Sequence, residues 1–180
     1  METESEQIRP ATDADLERIN AIYNHYVETS HATFDLVPTD MEYRKQWFAE
    51  RQDARHAVFV AESGGEILGY AASGRYRPRA AYDTTVETSV YVAPGWLGRG
   101  LGRELYRVLF EAVDASDAHR AVAGVALPNP ASEALHLKLG FRRVAQFSEQ
   151  GRKFGRFWDV DWYERDVPHP GSAQLAWPHV

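Results

Sequence analysis

No cysteine occurs in the 180 residues, which excludes disulfides, thiolate metal sites and cysteine nucleophiles. No apolar run approaches the roughly 20 residues that a membrane-spanning helix needs, and no membrane association is expected. The opening METESEQIRP has neither a basic n-region nor an apolar h-region, so no secretory signal is read and a cytoplasmic location is expected. Positive charge is in short supply, with 20 Lys and Arg against 26 Asp and Glu for a formal net charge of −6. Nonspecific nucleic-acid binding depends on clustered Lys and Arg that neutralise phosphates, so no nucleic-acid partner is expected. An anionic ligand would need a local basic patch. His25, His31, His56, His119, His169 and His179 show no metal-ligand spacing, and no metal is expected.

What remains is the composition of an ordinary globular protein, 44% apolar and 26% charged. The length suits one domain, read here as residues 1–167, followed by a Pro-rich tail, 168–180, expected to be disordered. Ile8 to Ala11 reads as a strand, and Thr12 with Asp15 as a capping-box start to a helix carrying Leu16, Ile19, Tyr23, Tyr26 and Val27. Thr39 with Glu42 repeats that signal before Trp47 and Phe48. AVFVAE (57–62) and ILGYAAS (67–73) read as strands joined at Ser63-Gly64-Gly65-Glu66, a hairpin turn. In the next strand, Thr85 to Val92, alternation puts Val86, Val90 and Val92 on one face and Glu87, Ser89 and Tyr91 on the other. Gly100 to Ala115 is the clearest helix, its stripe formed by Leu101, Leu105, Val108, Leu109, Ala112 and Val113. AVAGVAL (121–127) reads as a strand covered on both faces. A short helix, 131–139, closes at Gly140, and Phe141 to Gln146 and Phe157 to Tyr163 are the last strands.

Three alternating glycines, Gly98, Gly100 and Gly102, precede the clear helix. Glycine-rich backbone opening a helix aims free N–H groups and the positive end of the helix dipole at one point, which suits a phosphate or pyrophosphate. A P-loop needs Lys-Ser or Lys-Thr after its glycines, and neither dipeptide occurs. A dinucleotide fingerprint needs G-x-G-x-x-G directly after a strand; here the spacing is G-R-G-L-G, and Ala93 to Trp96 intervene. A loop that merely turns is the remaining alternative.

VYVAPGWLGRGLGRELY (90–106) resembles the coenzyme A signature of the GNAT superfamily of acyltransferases, with Leu97 where Arg or Gln is usual. IRPAT (8–12), NHYVETS (24–30), AYDTTVETSVYV (81–92), GVALPNPASEALHLKLGF (124–141) and FWDVDWYERDV (157–167) resemble, in order, segments of phosphinothricin and methionine sulfoximine N-acetyltransferases. The resemblance spans residues 8 to 167. It implies an α/β (α+β) GNAT fold: a central mixed, mostly antiparallel six- or seven-stranded sheet flanked by helices and split between two strands at the acetyl-CoA site. It also implies transfer of acetyl from acetyl-CoA to the α-amine of a glutamate-like amino acid, and a homodimer. Another amine (a polyamine, an aminoglycoside, a protein N-terminus) and a noncatalytic acyl-CoA-binding module are the competing expectations.

Within this resemblance Glu87 is the general base and His136 a group for thiolate protonation or coenzyme placement. The coenzyme falls to the backbone of Val90, Tyr91 and Val92, to Gly98, Arg99, Gly100, Leu101, Gly102 and Arg103, and to Asn129 and Ser132. Asn129 reads equally as a turn former between two prolines, and Ser132 as the cap of the short helix. An amino-acid substrate carries a carboxylate that needs a cation, and Arg75, Arg77 and Arg79 lead into the Glu87 strand; Arg77 or Arg79 is the expected clamp, with Tyr82 and Phe34 as pocket walls. Lys153 lies in a segment resembling the family's C-terminal GxKxG. Phe154 stands where phosphinothricin-specific members have His, and Thr84 where they often carry Trp.

Overall fold

The computed structural model describes residues 6–168. Two helices follow the first strand: β1 (Gln7–Pro10), α1 (Leu16–Thr29) and α2 (Met41–Ala49). Then come β2 (Val58–Ser63), β3 (Glu66–Arg75), β4 (Thr85–Val92), α3 (Leu101–Asp114), β5 (Arg120–Ala126), α4 (Pro130–Lys138), β6 (Arg142–Lys153) and β7 (Arg156–Asp166). The strands form one seven-stranded sheet in the order β1-β2-β3-β4-β5-β7-β6. Every neighbouring pair is antiparallel except β4 and β5. Among the described residues no helix is long and apolar enough to cross a membrane.

Two apolar clusters cover the two faces of the sheet. On one, Leu101, Leu105, Leu109 and Val113 of α3 pack on Leu68, Val86 and Ala123. Tyr106 and Phe110 widen the stripe expected from sequence. On the other, Leu16, Ile19 and Ile22 of α1 and Phe48 of α2 pack on Val58, Val60 and Tyr70. Alternation in β4 holds as expected: Val86 and Val92 join the α3 side, while Tyr91 packs with Tyr70, Tyr23 and Tyr26 on the α1 side.

The parallel pair is short. Thr85, Val86 and Glu87 pair with Arg120, Ala121 and Val122, and there the β4–β5 register ends. β4 continues along β3 as far as Val92 opposite Gly69, while β5 continues along β7 as far as Ala126 opposite Val160. The sheet is therefore split beyond Glu87, and among the described residues the inner edge of β4 past that point has no strand beside it.

Several local expectations change. α2 is capped by Asp40, whose carboxylate accepts from the Tyr43 amide, because Thr39 is taken up by Asn20, Asn24 and Arg44. Thr12 and Asp15 do form a capping box, but the first turn is 3-10 before α1 begins. β5 is not covered on both faces: Gly124 is exposed toward the split. β6 and β7 run well past the expected strands as a long hairpin, with register shifts in β6 between Arg143 and Ala145 and between Phe147 and Gly151. Asn129 caps α4, accepting the Ser132 amide at 3.2 Å, so Ser132 is not the cap. Residues 169–180 of the expected tail lie outside the described residues.

Candidate functional site

The glycine loop forms as its sequence demands. Gly98 and Gly100 have φ of 77° and 84°, backbone that residues with a Cβ rarely adopt, and Gly100 occupies the N-cap of α3. A Cβ at Gly95, Gly98 or Gly100 would meet nothing within 4 Å, so this surface is open. Among the described residues the amides from Gly98 to Gly102 have no backbone acceptor, and they crowd the positive end of a 14-residue helix. Arg99 lies over the Trp96 ring at 4.6 Å, and Arg103 is in the first turn of α3. Leu97 is exposed. Open backbone donors beside two arginines fit a pyrophosphate, and a Leu at 97 subtracts nothing from the backbone set.

From this loop the split leads to a cleft of about 320 Å3 on the α1/α2 side of the sheet. Glu87 looks into it and is exposed there. The enclosing wall still withholds enough water to raise the carboxyl pKa above the ordinary 4.5, an effect opposed by Arg51 and, less, by Arg77. Thr88, next along β4, lines the same cleft and donates toward the Val122 carbonyl across the point of divergence.

The roof of the cleft is the segment joining α1 to α2, through His31, Ala32 and Phe34. A polar network pins it. Tyr23 donates to Asp35 at 2.6 Å, with the Thr33 hydroxyl 2.7 Å away; Asn24 exchanges two hydrogen bonds with the Thr39 backbone. Lys153 reaches in from β6, buried to 3% exposure, and its ammonium donates to the Thr33 carbonyl at 2.8 Å. Burial lowers its pKa, against the pull of Asp35. Phe34 lies flat on Gly151, where a Cβ would stand 2.3 Å from the ring.

His136 sits on α4 at 3% exposure, ringed by Tyr106, Phe141 and Tyr163. Nδ1 lies 2.7 Å from the Ser132 carbonyl, which fixes it as the protonated nitrogen and leaves Nε2 to accept from the Tyr106 hydroxyl at 3.4 Å. Burial lowers its pKa, so the ring is held neutral. The Tyr106 hydroxyl, which also bonds to Thr88, stands between His136 and the cleft.

Of the residues expected from sequence, Glu87, Tyr91 and Phe34 line the cleft. Arg77, Arg79 and Tyr82 do not line it. Arg77 instead stacks on Tyr76 and Tyr82, and Tyr76 in turn meets Trp162 at 6.2 Å, one ring removed from the cavity. Sequence reasoning missed Arg51, Gln150 and Trp162, which line the cavity from the α2–β2 connection, β6 and β7. Trp162 lies opposite Gly124 in the β5–β7 register, and its ring fills the space a side chain there would take.

The profile of the Acetyltransferase (GNAT) family matches residues 19–141. The chain is 50% identical over 164 residues to a phosphinothricin N-acetyltransferase of Streptomyces coelicolor, covering 89% of this chain and 96% of that one. It is 39% identical to an L-methionine sulfoximine/L-methionine sulfone acetyltransferase of Pseudomonas aeruginosa, over 94% of this chain and 99% of that one. A solved GNAT superfamily phosphinothricin acetyltransferase from Sinorhizobium meliloti, in complex with acetyl-CoA, superposes with a TM-score of 0.86 at 30% identity, covering 90% of this chain and 88% of that one. The chain belongs to the GNAT acetyltransferase family and is an N-acetyltransferase.

If Phe34 on Gly151 shapes the acceptor side of the cleft, Gly151→Ala displaces that wall. The KM for the amine should rise roughly 10-fold or more while the Kd for acetyl-CoA changes less than about 2-fold, read by steady-state kinetics and calorimetry. Equal losses in both would show that the contact serves folding alone.

Proposed function

We propose that the protein transfers acetyl from acetyl-CoA directly to the α-amine of a small amino acid or a glutamate-like analogue such as phosphinothricin or methionine sulfoximine. The charge of the cleft carries the reading: two arginines, Arg51 and Arg75, line it against one carboxylate, Glu87. A polyamine or aminoglycoside would call for an acidic wall instead. The names of the relatives at 50% and 39% identity support the same class.

In this account the amides from Gly98 to Gly102, with Arg99 and Arg103, hold the pyrophosphate. The unpaired edge of β4 at Val90, Tyr91 and Val92 lies along the pantetheine as an added strand would. Asn129 and Ser132 contact the coenzyme from the start of α4. The thioester supplies an activated acyl carbon. Glu87 takes a proton from the substrate ammonium, directly or through one water, as the C–N bond forms and the C–S bond breaks. A β4 amide polarises the acyl oxygen. The second proton, shed by the nitrogen as the amide forms, goes to the departing thiolate; His136, neutral, buried and with Nε2 an acceptor, has no proton to give and acts by placing the Tyr106 hydroxyl. Phe34 is a wall, and Arg77, Arg79 and Tyr82 form a positive outer rim.

The resemblance to dimeric enzymes and the exposed Val144, Phe147, Phe154 and Phe157 on the outer hairpin support a homodimer. Light scattering should give about twice the 20.4 kDa of one chain, and a monomer at assay concentrations removes that part of the reading.

The test is a thiol-release assay with acetyl-CoA against phosphinothricin, methionine sulfoximine, methionine sulfone, proteinogenic amino acids, spermidine and an aminoglycoside. Acetylation of one or more amino acids is expected, and activity confined to the polyamine or aminoglycoside would contradict the reading. Since Glu87 must be ionised and its pKa is raised, kcat/KM should fall on acidification through a value above 4.5. Glu87→Gln should abolish that limb and lower kcat by about 100-fold or more, with acetyl-CoA binding nearly intact. A persisting limb would assign the base elsewhere.

A further inference from the structure

We propose that Arg51 receives the substrate carboxylate, so that Arg51 and Glu87 together read the two charges of a zwitterionic α-amino acid. The proposal rests on the acetyl-transfer reading above and names the cation that reading requires. Arg51 follows α2 and lies against β3 at Gly74, where a Cβ would stand 2.5 Å from Nη2, 2.9 Å from Cζ and 3.0 Å from Nε. Gly74 has no positive φ among the described glycines, so this glycine supplies space rather than an unusual backbone. In the β3–β4 register Gly74 is the direct partner of Glu87. The guanidinium thus rests on the one position of β3 that puts it beside the expected base.

The two charges feel each other without being joined. Arg51 is the largest influence holding the Glu87 carboxyl down, yet they make no ion pair among the described residues. Arg51 meets only the exposed Glu50, at 3.9 Å, and no ion pair of Glu87 is present among the described residues. In an α-amino acid one carbon separates the ammonium nitrogen from the carboxylate, so neighbouring counter-charges in a single cleft that are not joined to each other match its two ends.

Arg51 is also held ready. Its side chain is 16% exposed, Nη1 donates to the Trp47 carbonyl at 2.6 Å, and the guanidinium lies 4.4 Å from the centre of the Trp47 ring. Among the described residues Nε is buried with no hydrogen-bond partner, and the nearest carboxylate, Glu50 at 3.9 Å, is 78% exposed. A donor group fixed by packing and short of acceptors loses little freedom when a carboxylate arrives. The arginines at the end of β3 and in the β3–β4 connection are engaged differently: Arg75 faces Asp83 at 3.6 Å and is largely exposed, Arg77 is stacked on two tyrosines, and Arg79 is exposed outside the cleft.

The experiment compares kcat/KM for the amino acid that the wild-type enzyme acetylates fastest with kcat/KM for its α-carboxamide. Both substrates are run on one preparation, so an inactive fraction cancels. Wild type should prefer the free acid by on the order of 10- to 100-fold, the range of a charge-assisted hydrogen bond. In Arg51→Gln that ratio should fall toward one. Arg51→Lys, which keeps the charge and loses the fork, should be intermediate. Gly74→Ala, which pushes the guanidinium aside, should follow Arg51→Gln and gives a second route if that variant folds poorly. No acid preference in wild type, a preference unchanged in both Arg51→Gln and Gly74→Ala, or a collapse seen only in Arg77→Gln or Arg79→Gln would overturn the proposal. Failure of wild type to acetylate any amino acid strikes instead at the acetyl-transfer reading.

Discussion

The parting of β4 from β5 after Glu87 is the constraint on which the rest of the site depends. Three parallel residue pairs hold the strands together, and β4 then stays with β3 while β5 follows β7. A sheet edge inside a protein is costly unless its amides and carbonyls find partners. One is satisfied internally: the Val92 carbonyl accepts from the Tyr26 hydroxyl. The remaining edge suits an extended ligand running between glycine loop and cleft, and the carboxylate of Glu87 stands where the strands separate.

Polar contacts pin the roof of the cleft on its α1/α2 side, beside the apolar cluster of α1, α2 and the sheet. Arg44, at 1% exposure, lies between the rings of Tyr23 and Trp47 and donates to Asn20. The opposite reach of Lys153 to the Thr33 carbonyl ties the same roof to the β6–β7 hairpin. These buried cations, with Arg51, give one side of an acidic protein a local positive character, so an overall charge of −6 is compatible with an anionic acceptor. Removing either end of such a tie leaves a buried polar group unsatisfied, which explains why the roof is built from exchanged hydrogen bonds.

Much of this was legible in the sequence because the signals were local. The alternation of β4, the stripe of α3 and the turn chemistry of Gly64-Gly65 depend only on neighbours in the chain, and all three hold. The glycines before α3 marked positive-φ backbone opening a helix for the same reason. What sequence reading missed depends on register. Arg51 looks like one more charged residue at a helix end until Gly74 is placed opposite Glu87, and Trp162 becomes a cleft wall only because Gly124 pairs with it. Nearness along the chain made Arg77 and Arg79 the expected clamp; across the sheet, Arg51 is the arginine that packs beside the Glu87 position. The cap of α2 moved from Thr39 to Asp40 through a tertiary network that no local pattern encodes.

The central claim is that the split in the sheet is where acetyl transfer takes place, with Glu87 at its fork. A crystal structure of Glu87→Gln with acetyl-CoA and the preferred amino acid tests it directly. The account predicts the acyl carbonyl alongside β4 between Thr88 and Val92, and the substrate nitrogen within a hydrogen bond, or one water, of residue 87. Coenzyme bound on another face of the sheet, or an amine held far from residue 87, would contradict it.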